Sequence, residues 1–177
     1  MRKTSRHRSE SQKIHHRRKD IKKVDNTKDI DDILAKGKIV QDLLGFSREK
    51  ITHLFERAIV YLQVGHFDEA VSSFSLLTRL NPYIADFWLG LAIAQMRQGE
   101  HTRAFEAFGM AIAMDPSRFD IYSYAIECCL EMQNPNQADA LLNDAVTYAK
   151  RHKSSEDADI ILRSANALRE KIASYKT

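Results

Sequence analysis

The residues able to do chemistry are seven histidines (His7, His15, His16, His53, His66, His101 and His152) and the adjacent pair Cys128 and Cys129. A zinc or hydrolytic site needs ligands that recur on one helix face, as in H-E-x-x-H, or cysteines with two residues between them, as in C-x-x-C. Neither pattern occurs, so no metal and no cofactor is expected. His15 and His16 adjoin Arg17 and Arg18, whose charge opposes a bound cation. Neighbouring residues on a helix point in different directions, so Cys128 and Cys129 suit a disulfide poorly, and a reducing cytoplasm fits them best. There is no Gly-rich phosphate loop, no G-x-S-x-G and no G-x-G-x-x-G. The chain reads as a binding protein, not an enzyme.

The elements that would position a binding surface are helices. With 6 Gly and 3 Pro in 177 residues, the chain is poor in the residues that punctuate β-rich folds, and its 44% apolar content suits a globular core. No apolar run approaches the ~18–20 residues that span a bilayer, so membrane insertion is not expected. No apolar stretch follows the charged N-terminus, so a secretory signal peptide is not expected either. Residues 1–23 hold ten basic and two acidic residues, +8 against −5 for the remainder of a chain with net charge +3. Such an arm buries too little apolar surface to offset its chain entropy, so residues 1–28 are expected to be disordered.

Self-similarity carries most of the information. Ala70, Ala104 and Ala138 stand 34 residues apart, as do Phe74, Phe108 and Leu142, and Leu77, Ala111 and Ala145. Gly65 and Gly99 share that spacing, and so do Pro82 and Pro116. Thirty-four residues is the period of the tetratricopeptide repeat, a pair of antiparallel helices. The fold expected is therefore all-α, with three tandem helix pairs at about 51–84, 85–118 and 119–152. A helix at 29–45 precedes them and a capping helix at 154–175 follows, within a domain of residues 29–177. Small residues such as Ala70 and Ala92 let paired helices approach. Gly65 and Gly99 end first helices in the left-handed conformation, and each Pro stops the second helix. The third repeat has drifted, with Gln133 in place of the turn glycine and Lys150 in place of the proline. Ser47 is a partial N-cap, with Lys50 where a capping box would carry Glu or Gln.

In stacked repeats the first helix of each pair lines a channel, with positions 5, 9 and 12 facing it. These are Phe55, Ile59 and Leu62, then Leu89, Ile93 and Met96, then Ser123, Glu127 and Leu130. Leu54, Ala58, Tyr61, Trp88, Leu91 and Ala92 already supply a core stripe on the first two of these helices. A second apolar face on the same helices needs a partner, either a peptide or another subunit. Glu127 would meet a peptide N–H or a Lys, or simply stay solvated. The channel does not suit acidic chaperone-recruiting tails: Phe55, Ile59, Gly90, Asp120 and Tyr124 stand where such sites carry Lys, Asn and Arg. Ile30, Ile33, Leu34, Val40, Leu43 and Leu44 form the apolar side of the leading helix.

Residues 37–149 resemble the class II chaperones of bacterial type III secretion systems, which guard translocator proteins. The resemblance rests on FWLGLAIAQMRQG at 87–99, AFGMAIAMD at 107–115, AIECCLEMQNPNQADALL at 125–142 and the helical lead-in before GFSREKITHLFERAIVYLQVGHFDEA. It implies a bacterial cytoplasmic protein that holds secreted hydrophobic translocators before export, gripping a Pro-x-Leu-x-x-Pro-like segment in its channel. By the same resemblance, Phe55, Ile59, Leu62, Leu89, Ile93 and Met96 receive the apolar anchors, and the leading helix mediates a homodimer. Family members often carry tyrosines where this chain has Phe55, Ile59 and Leu62, a departure that leaves room for a different client anchor. Two alternatives stay open: a repeat scaffold in another assembly, and an adaptor whose basic arm meets nucleic acid or an acidic partner. No aromatic residue interleaves with the arm's charges, so base stacking has no platform and nucleic acid is the weaker option.

Overall fold

The computed structural model describes residues 40–152 and 154–176. The basic arm, and Ile30, Ile33 and Leu34 of the expected dimer helix, lie outside the described residues. The chain divides into a unit ending at Phe46 and a unit beginning at Ser47. In the first, the described helix is α1 (Val40–Leu43), followed by Gly45 at φ 66°. The Gln41 side-chain amide donates to the Phe46 carbonyl at 3.4 Å, which ties down the turn.

The second unit is all-helical among the described residues, and it forms three helix pairs and a final helix. The pairs are α2 (Arg48–Val64) with α3 (Phe67–Leu80), α4 (Ala85–Arg97) with α5 (His101–Met114), and α6 (Phe119–Glu131) with α7 (Pro135–His152). The final helix is α8 (Ser155–Ser174). Ser47 caps α2, its Oγ accepting the Lys50 N–H at 3.3 Å.

Each first helix ends the same way. The amides of His66, Glu100 and Asn134 each donate at 2.9 Å to the carbonyl five residues back, of Tyr61, Gln95 and Cys129. That bond needs a left-handed residue just before the donor. Gly65 and Gly99 adopt φ of 83° and 82°, and Gln133 takes the same turn at φ 54°. The drifted third repeat therefore keeps the geometry without the residue that makes it cheap.

The links between pairs also repeat. The Asn81 side-chain oxygen accepts the Tyr83 N–H at 3.2 Å, and that of Asp115 accepts the Ser117 N–H at 3.1 Å, each across its proline. Both prolines sit where the preceding helix must stop. Lys150 imposes no such stop, and α7 runs for 18 residues where α3 and α5 run for 14. One extra turn of α7 gives α8 a longer surface to pack on.

The core runs along the pair interfaces through fully buried Ala58, Ala70, Phe74, Leu77, Ala92, Ala104, Phe108 and Ala111. Leu91 joins them, whereas Leu54, Tyr61 and Trp88 are only half-buried. Tyr61 accepts a 3.0 Å bond from Arg57, whose guanidinium lies 5.9 Å from the ring centre, and the Trp88 indole donates to the Pro82 carbonyl at 2.7 Å. These polar handles explain why the two aromatic residues stop at the edge of the core. A terminal cluster of Ile126, Cys129, Leu130, Ala138, Leu142, Val146, Ala165 and Ile172 joins α6, α7 and α8.

Candidate peptide-binding groove

Successive first helices touch one another, α2 with α4 and α4 with α6, and α8 meets α6 as the next member of that row. The second helices α3, α5 and α7 do not meet. A stack whose one row is drawn closer curves toward that row, so α2, α4, α6 and α8 line its inner face.

Five of the residues expected on that face are half-buried: Phe55, Ile59 and Leu62 on α2, and Ile93 and Met96 on α4. Phe55 packs its ring 6.0 Å edge-on from Phe74 and 5.5 Å from Phe87, so one side of it serves the core. Two expected groove residues lie deeper. Leu89 is only 9% exposed, because α4 is apolar on nearly all sides and sits between α3 and α5. Leu130 is 2% exposed and belongs to the cluster under α8. The capping helix covers what three repeats alone would leave open. Ser123 turns its hydroxyl back to the Phe119 carbonyl at 3.1 Å.

Glu127 is not simply solvated, because Lys171 of α8 pairs with it at 3.0 Å. Both side chains remain nearly half exposed, at 44% and 45%. Lys171 reaches this face because α8 takes the place of a fourth first helix, a position the 34-residue count does not give it. Tyr124 was also underrated. It occupies the repeat position of Glu56 and Gly90, stacks parallel to Phe108 at 6.4 Å, and stays 37% exposed. An aromatic residue at a first-helix position that is not a core position was the available signal.

At the start of α6, Arg118 bridges Asp86 and Asp120 and so clasps the second repeat to the third. Hydrogen bonds from Arg118 hold the Asp120 carboxyl below the usual carboxylate range, and both acids push the guanidinium further up. Asp120, one of the residues that stand where acidic-tail sites carry Lys, Asn or Arg, is thus an inter-repeat tie.

Cys128 and Cys129 are free and buried. Burial pushes their thiols up to about 11 and about 12, so neither is a thiolate at neutral pH. The Cys128 thiol donates to the His101 carbonyl at 3.3 Å, a packing role. Among the described residues, no group of His, Cys, Asp or Glu could hold a metal ion, and no helix is long and apolar enough to cross a membrane. Val40 on α1 and Leu44 just after it are exposed.

Two family models, both described as tetratricopeptide repeat, match residues 55–119 and 96–154, together more than half of the chain. Among solved structures, a type III secretion complex from Aeromonas hydrophila is similar, with TM-score 0.71 and 24% identity over 83% of this chain and 96% of that one. The type III secretion translocator chaperone SycD of Yersinia enterocolitica gives TM-score 0.64 and 22% identity, covering 75% of this chain and 97% of its own. PcrH, known from Pseudomonas aeruginosa and solved with the chaperone binding region of PopD, gives 0.65 and 22%, covering 75% and 98%. At these identities the likeness is one of fold. Comparison with curated protein sequences gives no match.

Proposed function

Because the chain belongs to the tetratricopeptide-repeat family, we propose that it is a chaperone for hydrophobic translocator proteins of a type III secretion system. In this reading it works in the bacterial cytoplasm, performs no catalysis, and holds an extended client segment along its inner face until export. The observation that carries the reading is the row of Phe55, Ile59, Leu62, Ile93 and Met96, apolar side chains that the core leaves half open. Met96 adds an adaptable surface for irregular anchors. Structures of the same fold hold client segments: PcrH the chaperone binding regions of PopD and PopB, and SycD a peptide of YopD.

A peptide laid over this row would bury ~600–1,000 Å² per side, enough for micromolar binding that can still be released. A homodimer fits the reading as well. Val60, 53% exposed on α2, stands where later repeats bury Ala94 and Cys128, so the leading edge of the stack has apolar surface to share.

The test is co-expression with a hydrophobic translocator, comparing the native chain with Ile59→Asp and Ile93→Asp. Leu89→Asp is a poor probe, because a charge at a nearly buried site also destabilises the fold. Each of the two chosen variants should keep its helical circular dichroism and lose at least tenfold in client affinity. Equal solubilisation of the client by native and variant proteins would remove the groove from the function.

A further inference from the structure

We propose that the α6–α8 end of the inner face is a subsite for a basic residue of the bound segment, with Lys171 as its built-in placeholder. This rests on the groove reading above and specifies what the segment must carry beyond apolar anchors.

The inner face changes character along its length. At the ninth position of successive repeats it presents Ile59, Ile93 and then Glu127. The apolar row ends where Leu130 is withdrawn beneath α8, and the surface that continues it is Tyr124, Glu127 and Lys171. A peptide that follows the first helices therefore runs from an apolar floor onto an ion pair. Beyond the apolar floor, what it meets is a carboxylate already holding an ammonium group.

The charges nearby decide the sign. Asp86 and Asp120 share the single cation Arg118, which leaves one negative charge in excess at the start of α6. Glu131, exposed at the other end of α6, stands at the repeat position of Arg97 on α4 and adds no clear excess, while Glu127 itself is balanced only by Lys171. An incoming lysine or arginine exchanges with Lys171 and keeps Glu127 neutralised. An incoming acidic residue would have to pull Lys171 away from Glu127 and leave that carboxylate bare beside a surface already negative.

Lys171 is suited to the exchange. It stands on the last turn of α8, its head is nearly half exposed, and its flexible stem allows it to swing away without disturbing buried Ile172 beside it. An exposed pair of this kind is weak, so displacement costs little and the gain is one of selectivity.

The experiment uses the full chain and a fluorescein-labelled 12-residue peptide built on Pro-x-Leu-x-x-Pro, with Lys, Ala or Glu placed in either flank. In one flank Lys should bind about two- to fivefold tighter than Ala, and Glu weaker than both, a spread that shrinks in high salt. Lys171→Ala should sharpen the preference for Lys by removing the competitor. Glu127→Gln should abolish the preference among the Lys, Ala and Glu peptides. If all peptides bind with one affinity, or Glu127→Gln keeps the preference, the basic subsite is wrong and the apolar groove stands. If no peptide binds the native chain, or Ile93→Asp binds them as well as the native chain does, the groove reading falls and the subsite with it.

Discussion

The two junctions between repeats use the same positions, 34 residues apart, and fill them differently. At the first, Phe74 lies against Gly90; at the second, its equivalent Phe108 lies against Tyr124, the equivalent of Gly90. A Cβ on Gly90 would stand 2.2 Å from the Phe74 ring, so the ring of α3 rests directly on the backbone of α4. At the second junction the contact is ring on ring, 6.4 Å apart and within 4° of parallel, and part of Tyr124 is left for the inner face. The second junction also has the Asp86–Arg118–Asp120 clasp, whereas Thr52 and Ile84 stand at the corresponding places in the first. The same repeat can thus be joined by close packing, which hides its side chains, or by a looser stack with ionic ties, which presents them. The apolar part of the groove borders the tight junction, and its polar part borders the loose one.

The strongest way to break this contrast is to add one carbon at the tight junction. Gly90→Ala should cost about 1–3 kcal/mol in urea denaturation, because fully buried Phe74 has little room to yield. Adding Phe74→Leu should recover part of the loss. An unchanged midpoint in the single variant would mean that the two helices can slide apart freely.

The turns sharpen the contrast from another side. Gln133→Gly should stabilise the third repeat by about 1 kcal/mol, since a non-glycine residue at φ 54° carries a left-handed penalty that Gly65 and Gly99 escape. The reverse change, Gly99→Gln, should destabilise by a similar amount.

At the loose junction the expected losses are smaller. Tyr124→Ala forfeits one aromatic stack at a partly exposed site, about 0.5 kcal/mol, and the thermal midpoint should fall far less than for Gly90→Ala. A loss as large as that of Gly90→Ala would show that the second junction is not the looser one.

The smallest effect is the clasp. Asp120 has its pKa lowered by Arg118, so the native state favours its charged form. Its stabilisation is complete above the ordinary carboxylate range and fades as pH falls through the lowered value. Asp120→Asn should therefore cost a few tenths of a kcal/mol at pH 7, by denaturant midpoint, and nothing once the native Asp120 is protonated at low pH.

Much of the fold was legible along the chain because each repeat solves the same local problem. Alanine at 70, 104 and 138, glycine at 65 and 99, and proline at 82 and 116 are choices that backbone geometry imposes one helix pair at a time. The channel was harder to read. Counting positions places Leu89 and Leu130 beside Ile93 and Met96, but two of the four are withdrawn into the core. Periodicity assigns a side chain to a face of its own helix and says nothing about what later covers that face. Leu130 is covered by α8, a helix outside the repeat count, and Leu89 lies in α4, which is packed between neighbours on both sides.

By itself the sequence determined the all-helical class, the 34-residue register, the turns and the apolar character of the first two inner helices, since these follow from local backbone and side-chain preferences. It also held the Gln133 and Lys150 departures in plain view, though not their outcomes, a retained turn and a longer α7. Only the tertiary structure decided that Lys171 reaches Glu127 across 44 residues, that Arg118 joins two repeats, and that Gly90 and Tyr124 make opposite junctions. Those are contacts between side chains distant in sequence, and no local propensity encodes the distance between helices that sets them.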